Sequence, residues 1–548
     1  MSESEHPSGA ESNTRVDGAD AASRRATPDP CGLPTPDDDT RSSDGPEIYI
    51  GLITPLGAPS DELEDALKSE LARYSYHSHP IRLSKLLERL EDGLPRHSDE
   101  RTAELIDRGN RLTEIYGAAA VARLGVQELR AVRAEATHDD TGQMPIQRRG
   151  WIIRSLKRPD EVTLLRQTYG EALFTLAVHT TKEKRQDRLA TNLRSTRPTL
   201  SADQAAECAS KMIAQDEHEE AFSHGQDVRS AFPMADVMLP GDEVEPLQRE
   251  ARRFVQMLFG ENVVPNAAEH AMYMADGTAA MSSSLSRKVG AALVTASGEI
   301  ISVGANEVPK AGGGQFGFDD PGGRDEDRGV DYSTESLRAL VADTVVKLAE
   351  GNWLSSERHM QFAADKDLMA REAFDLLRSA KADLLNIIEF QRSVHAEAAA
   401  IVEAARRGIA VEGATMYCTT YPCHLCAKEI VYAGITRVYY IEPYPKSRAE
   451  GMYGESIHGR VSSDEDNWVA FVPFIGVTPR AYRRLFETEE RYRRKDELGL
   501  VVRADPQHAT PRGLTAFEAV ATASEREIFA IGNLPADPTL AQQEGTDE

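Results

Sequence analysis

The chain of 548 residues lacks several features that particular classes of protein require. Its five cysteines, an odd number, argue against a disulfide framework and for reduced thiols. No apolar run approaches about 18 residues and the N-terminus shows no targeting pattern, so we expect no membrane contact and a cytoplasmic location. Because 89 acidic residues outnumber 63 basic ones, non-specific binding to the phosphate backbone of nucleic acid is disfavoured.

The first 46 residues have no aromatic residue and no isoleucine, and they carry ten acidic residues, four basic residues and six prolines. Such a segment cannot bury enough apolar surface to offset the entropy lost on ordering. We therefore predict a disordered acidic arm over residues 1–46.

The length of the remaining chain and its alternation of strand and helix patterns predict two α/β domains. The first covers residues 47–245, with strands at 47–53, 150–156 and 172–180, a helix at 61–71 and helical periodicity over 100–134. The second covers residues 250–485, with a hairpin ending at Gly304, strands at 414–418 and 437–441, and helices at 266–283, 335–350, 365–389, 395–407 and 423–433. Residues 486–548 are expected to form an extension that ends in a disordered tail.

The most specific pattern in the chain is His395-Ala396-Glu397 followed by Cys423 and Cys426 in a C-x-x-C. Zinc binds imidazole nitrogen and thiolate sulfur, and a catalytic site keeps one of its four positions open for water. The pattern predicts Zn²⁺ on His395, Cys423 and Cys426, with Glu397 placed to move protons. Both ligand sets lie at predicted helix N-termini, where the helix dipole favours thiolates.

A structural zinc knuckle is the alternative interpretation of the same residues. A closed structural site needs a fourth Cys or His. His424 could in principle supply it, but it stands between the two cysteine ligands. Its side chain is therefore expected to point away from the metal. A knuckle also leaves Glu397 without a purpose.

The H-x-E and P-C-x-x-C motifs, the block Ser286–Ala291, the segment Gly304–Asn306 and the run 414–423 resemble those of cytidine and deoxycytidylate deaminases over about residues 265–445. The resemblance implies a three-layer α/β/α domain with a mixed sheet. It further implies that Asn306 binds a sugar hydroxyl and that the backbone at Ala396 reads the cytosine edge. Candidate phosphate contacts, with exposed solubility positions as the alternative, are Lys446, Arg448, Arg287 and Lys288.

An insert over about residues 312–394 interrupts the family pattern. It either shapes a substrate-specific or regulatory pocket or is a surface elaboration. Its acidic residues could bind Mg²⁺ together with nucleotide phosphates, or could simply be solvated: Asp319, Asp320, Asp325, Glu326 and Asp327.

The loop after the first predicted strand has the strand, glycine turn and helix order of a phosphate-binding P-loop. It departs from the Walker motif, since Ala58 stands at the lysine position and Pro59 at the hydroxyl position. Backbone N–H groups at a helix start still favour anions, so we expect a degenerate nucleotide-binding loop at Gly51, Thr54, Gly57 and Ser60. The basic stretches 154–166 and 182–188 either contact phosphates or RNA or form solvated faces.

A degenerate P-loop kinase-like domain joined to a deaminase domain resembles the bacterial anti-phage dCTP deaminases. The resemblance implies conversion of dCTP or dCMP to the uracil form, depletion of dCTP during infection, an inhibitory small RNA and a homo-oligomer. Two alternatives stay open. One is a deaminase of tRNA or single-stranded DNA, and the other is a catalytically idle sensor of nucleotides or RNA.

Overall fold

The structure is a computed structural model that describes residues 45–91, 93–217, 227–261, 263–460, 467–487, 495–501, 505–507, 509–512, 518–532 and 534. The predicted acidic arm lies outside the described residues except for its last two positions, and so does the predicted C-terminal tail. None of the helices within the described ranges is long and apolar enough to cross a bilayer.

The strands within the described residues are β1 (Ile48–Ile53), β2 (His77–Arg82), β3 (Arg149–Arg154), β4 (Leu173–His179), β5 (Val237–Pro240), β6 (Gly290–Val294), β7 (Ile300–Ala305), β8 (Thr415–Thr420), β9 (Arg437–Glu442), β10 (Ile457–His458), β11 (Val469–Pro473) and β12 (Gly476–Val477). They form two six-stranded sheets.

The helices of the first half are α1 (Ser60–Ala72), α2 (Leu83–Leu90), α3 (Ser98–Tyr116), α4 (Ala120–Thr137), α5 (Pro159–Tyr169), α6 (Lys182–Thr196), α7 (Ala202–Glu217), α8 (Val228–Ala231) and α9 (Val244–Leu258). Those of the second half are α10 (Ala267–Ala279), α11 (Asp325–Arg328), α12 (Tyr332–Glu350), α13 (Ser356–Ala364), α14 (Lys366–Ser379), α15 (Ala396–Arg406), α16 (His424–Tyr432), α17 (Ala449–Met452), α18 (Pro479–Phe486) and α19 (Glu518–Ile531).

The first sheet has the order β12-β5-β4-β1-β3-β2. Strands β1 to β5 are parallel, and β12 joins β5 in the antiparallel direction. All six residues of β1 are buried, as expected of a central parallel strand covered on both faces. The helical periodicity predicted over 100–134 is divided into α3 and α4 at Gly117, whose φ of 89° ends the first helix.

The second sheet has the order β10-β11-β9-β8-β6-β7 and is mixed, because β6 pairs antiparallel with β7 and β8 while β8, β9, β11 and β10 run parallel. In β6, Ala292 and Val294 pack with α10, whereas Ala291 and Leu293 pack on the side of α15 and α16. Alternate residues therefore face two helical layers, which confirms the predicted α/β/α arrangement around a mixed sheet.

Two glycines let helices pack closely on this sheet. A Cβ at Gly290 of β6 would lie 1.8 Å from the Ala275 carbonyl oxygen of α10. A Cβ at Gly304 of β7 would lie 2.3 Å from the carbonyl oxygen of Ala396 and 2.5 Å from the nitrogen of Ala400, both in α15. Helix α15, which follows His395, is thus held directly against the sheet backbone.

The insert between β7 and α15 has a hydrophobic cluster of its own, built from α12, α13 and α14 around Val341, Val345, Phe362 and Phe374. Its two ends meet, since the Val394 N–H donates to the Glu307 carbonyl at 3.0 Å in an antiparallel bridge. The helix predicted over 365–389 ends at Ser379, and a short 3₁₀ turn follows at Asp383–Asn386.

The predicted boundary near 245–250 stays a prediction. One hydrophobic core contains residues of the first sheet together with Met272 of α10 and Tyr417 of β8. Beyond the second sheet, β12 and α18 pack on the first.

Candidate metal centre and its cavity

Three predicted ligands lie together at the starts of two helices. The Nδ1 atom of His395 is 3.2 Å from the Sγ atom of Cys423 and 3.3 Å from that of Cys426. His395 directly precedes α15 and Cys423 is the N-cap of α16. Within the part of the chain that the structure describes, this is the one cluster of three or more His, Cys, Asp and Glu side chains whose donor atoms lie within 4.8 Å of one another.

The helix start at Cys423 favours the thiolate form of that residue. Its Sγ accepts hydrogen bonds from Cys426, whose backbone N–H lies 3.5 Å away, and from His395. These bonds and the positive charge of His395 hold the pKa of the Cys423 thiol well below its usual range, although burial opposes the shift. A thiolate is the form in which cysteine binds zinc.

The orientation of His395 is set by the insert. Its Nε2 atom lies 2.5 Å from Oε1 of Gln391, and because an amide oxygen only accepts, Nε2 carries a proton. The Nδ1 atom of the charged ring faces the two thiols and must lose its own proton to bind a metal. Outer-shell partners of this kind fix the tautomer of ligating histidines. Sequence reasoning missed Gln391, since a glutamine in an irregular segment gives no signal in a single sequence.

Glu397 lies in the first turn of α15, beside the three ligand atoms, and its side chain is buried. Burial raises the pKa of its carboxyl to about 7, against the opposing effect of the positive charge on His395. The structure thus brings a proton-exchanging carboxyl next to the sulfur and nitrogen donors.

The donor set fits a catalytic zinc ion. One imidazole nitrogen and two thiol sulfurs, all within bonding reach of one point, are the borderline and soft ligands that zinc prefers, and three protein donors leave a fourth position open. His424 does not join them, and within the described residues its buried Nδ1 atom has no hydrogen-bond partner.

The cluster opens into a cavity of 710 Å³, a size typical of small-molecule sites. Residues of the second half outside the insert line part of this cavity, among them the predicted substrate contacts Asn306, Ala396 and Lys446. The Asn306 amide is engaged with the chain itself, since it accepts from the Val289 N–H at 2.7 Å and donates to the Arg287 carbonyl at 2.9 Å. Its contact with a sugar hydroxyl stays a prediction.

The insert contributes further lining residues to this cavity, from its loop, from α12 and α14, and from the segment before His395. Of the other predicted phosphate contacts, Arg287 lines the cavity, but Lys288 and Arg448 do not. Arg448 lies 3.5 Å from Asp383 of the insert.

The acidic residues of the insert are not gathered into a metal site. Asp320 pairs with Lys310 at 2.5 Å, and Asp325 pairs with Arg392 at 2.5 Å. Asp327 accepts from the backbone N–H of Arg324. Mg²⁺ therefore remains a prediction without a ligand set in the described residues.

A second cavity, of 510 Å³, lies at the predicted P-loop. Thr54, Gly57 and Ser60 line it, whereas Gly51 lies inside β1, where a Cβ would come within 2.8 Å of Leu156. Gly57 has a φ of 84°, as a tight phosphate-binding turn requires. Nucleotide binding at this loop stays a prediction.

The loop is held by a buried carboxylate of the chain. Asp216 of α7 accepts from the Leu56 N–H at 2.5 Å and from Lys157 Nζ at 2.6 Å, and lies 3.7 Å from Arg185. Arg154 and Arg158 are buried as well, beside Glu64 and Glu161. The solvated-face interpretation of the two basic stretches is therefore wrong for these arginines.

Comparison with known proteins finds similarity in the second half of the chain. The model of the family described as "Cytidine and deoxycytidylate deaminase zinc-binding region" matches residues 265–442. The match spans residues from the start of α10 to the end of β9. The matched region contains His395, Cys423, Cys426, Glu397 and the insert.

Curated relatives match a short part of the domain. The chain is 48% identical to deoxycytidylate deaminase of Enterobacteria phage T2 over 58 residues, which are 11% of this chain and 31% of the phage protein. It is 47% identical to ComE operon protein 2 of Bacillus subtilis (strain 168) over 53 residues, 10% of this chain and 28% of that protein. The chain thus spans less than a third of the length of these relatives.

Two solved structures are also similar. The dCMP deaminase of cyanophage S-TIM5, in complex with dCMP and dUMP, is 18% identical and has a TM-score of 0.21, over 39% of this chain and 99% of the other. Shikimate kinase of Bacteroides thetaiotaomicron is 16% identical and has a TM-score of 0.23, over 38% of this chain and 97% of the other.

Proposed function

We propose that the protein is a zinc-dependent hydrolase that deaminates free deoxycytidine nucleotides, dCTP, dCMP or both. The observation that carries the proposal is the convergence of His395, Cys423 and Cys426 on one point beside the buried Glu397, within a domain of the deaminase family. The reaction adds water to C4 of cytosine and releases ammonia, which leaves the uracil base.

The chain's own groups divide the work. Zinc, when bound to the three ligands, is a Lewis acid that makes water a nucleophile near neutral pH. The Glu397 carboxylate accepts one proton from the attacking water and delivers it to the ring nitrogen; it then takes the second proton, from the new hydroxyl group on C4, and delivers it to the departing amine. Gln391 holds the His395 ring by its Nε2 proton, and the start of α15 at Ala396 lies in the cavity wall where the base would sit.

The substrate is proposed to be a free nucleotide because the cavity is of small-molecule size and the chain is acidic overall. The wider role rests on the resemblance of the motifs. We propose that the enzyme depletes dCTP as an anti-phage defence in the cytoplasm, as a homo-oligomer held inactive by a small RNA. Sequencing of nucleic acid that copurifies with the protein tests the last point.

The decisive experiment incubates the zinc-loaded protein with deoxycytidine, dCMP, dCTP, CTP and a single-stranded oligonucleotide, and follows ammonia and uracil products. Glu397→Gln is expected to lower turnover by about 10²- to 10⁴-fold while it retains zinc. Glu403→Gln is the matched control, because Glu403 lies on the same helix and is 40% exposed.

If only the oligonucleotide is turned over, the proposal is wrong and the protein is a polynucleotide deaminase. No turnover of any substrate by RNA-free, zinc-loaded protein would replace it with an idle sensor. Equal activity of the wild type and Glu397→Gln would contradict the role of the carboxylate.

A further inference from the structure

The insert brings to the cavity wall an arginine that has no counterion among the described residues. Arg338, on α12, lines the cavity together with His395 and Glu397. Its guanidinium carbon lies 5.4 Å from the ring centroid of Phe374, on α14, which also lines the cavity. Among the residues that the structure describes, no carboxylate forms an ion pair with Arg338.

Most other charges in the cavity wall are compensated by a partner. Arg287 lies 3.4 Å from Glu442, Arg378 lies 3.0 Å from Asp375, and Arg392 pairs with Asp325.

Asp331 caps α12 by accepting from the backbone N–H groups of Ser333 and Thr334 at 3.2 Å. Lys446, on the domain side of the cavity, forms no ion pair within the described residues. Two cations, Arg338 from the insert and Lys446 from outside it, thus remain available in a cavity that His395, Glu397 and Cys423 also line.

We propose that Arg338, supported by the Phe374 ring, binds the substrate's phosphate together with Lys446, so that the insert makes the deaminase selective for nucleotides over nucleosides. The inference rests on the proposed function and names its specificity residue. A guanidinium group donates paired hydrogen bonds to phosphate oxygens, and its stacking on an aromatic ring reduces the freedom lost on binding. The cytosine base would then lie towards Glu397, with the phosphate towards the insert.

The test compares steady-state kinetics of the zinc-loaded full chain on deoxycytidine, dCMP and dCTP. Arg338→Ala is expected to lower kcat/KM for both nucleotides by about 10- to 100-fold, mainly by raising KM. The kcat/KM for deoxycytidine should not change. Arg338→Lys should recover part of the loss. Arg371→Ala is the matched control, because Arg371 is exposed on α14 of the same insert and does not line the cavity.

Calorimetric binding of dCMP is measured for the same variants, so that the contact is tested whether or not turnover is found. If dCMP binds and the binding weakens in Arg338→Ala, but no protein form turns over any substrate, the proposed function fails and the phosphate contact stands. If Arg338→Ala affects deoxycytidine as much as dCMP, or affects neither, the phosphate contact is overturned.

Discussion

The guanidinium group of Arg253 donates two hydrogen bonds, each 2.7 Å long, to the carboxylate of Glu269. Arg253 is on α9, which packs beside β5 of the first sheet, and Glu269 is on α10, which packs on β6 of the second. The same carboxylate accepts from the backbone N–H of Val477 in β12 at 2.9 Å. One fully buried side chain therefore ties together elements of both sheets.

Replacing Glu269 should be strongly destabilising. Glu269→Ala leaves the Val477 N–H without its acceptor. Among the described residues, it leaves Arg253 with only the longer ion-pair contact to Glu250, at 3.6 Å. Breaking a buried pair in this way costs about 3–5 kcal/mol. Urea unfolding followed by circular dichroism measures the loss. Glu114→Ala, at an exposed position of α3, should change stability by less than about 0.5 kcal/mol; a similar effect of the two substitutions would show that the pair contributes little.

Glu64 predicts an acid-dependent contribution to stability. Burial opposes its ionisation, but hydrogen bonds from Lys68, Arg154 and Arg82 outweigh this and lower the pKa of its carboxyl to about 2 from 4.5. A lowered folded-state pKa means that the stabilisation is complete above pH 4.5 and is lost as the pH falls towards 2.

The free energy of unfolding of the wild type should therefore exceed that of Glu64→Gln at pH 7, and the difference should shrink steadily below pH 4.5. Glu62→Gln, two residues earlier and exposed, should show a small difference at every pH. A difference for Glu64→Gln that does not change between pH 7 and pH 3 would contradict the assignment.

Zinc content should depend on two of the cysteines and not on a third. Cys423→Ser and Cys426→Ser each remove a thiolate donor from the centre, whereas Cys208→Ser alters a thiol of α7 that donates to Asp99. Mass spectrometry of the metal should find about one zinc per chain in the wild type and in Cys208→Ser, and a marked loss in the other two. A full zinc content in Cys423→Ser would show that Cys423 is not a zinc ligand.

Gly304→Ala should displace the metal centre although it is not a ligand. Its Cβ would overlap the α15 backbone at Ala396 and Ala400, so the helix that follows His395 must shift. We expect about 1–3 kcal/mol of destabilisation together with weaker zinc retention in a chelator titration. Gly277→Ala, in α10 with no atom within 4 Å of the added Cβ, should be neutral or slightly stabilising; the prediction is wrong if the two variants behave alike.

The metal centre could be predicted from sequence because all three ligands sit at helix starts in short motifs. The C-x-x-C spacing at a helix start places the thiols of Cys423 and Cys426 close together, so the local geometry follows from the motif. The cavity could not be predicted from sequence, because Gln391 and Arg338 line it only through the tertiary fold of the insert. The same holds for Arg154 and Arg185, whose acidic partners Glu64 and Asp216 are distant in sequence.

Secondary structure was predictable where burial repeats along the chain. Strand β1 is wholly apolar or glycine and was predicted, whereas β2, with the sequence HSHPIR, has no such pattern. β2 is an edge strand, which is where a proline such as Pro80 is tolerated in a sheet. The two residues of β12 pair with β5 through the main chain, which leaves no trace in the side-chain pattern.

The bridge between Glu307 and Val394 brings the two ends of the insert together. Because its two ends are joined by a main-chain hydrogen bond, residues 308–393 enter and leave the domain at one point, and a short turn would close the same gap. The entropy of closing a loop grows slowly with its length, so segments of very different size are tolerated there. The wall that we assign to substrate selection thus lies in a segment whose length can change without disturbing the sheet, and any replacement must also supply the contact that Gln391 makes with His395.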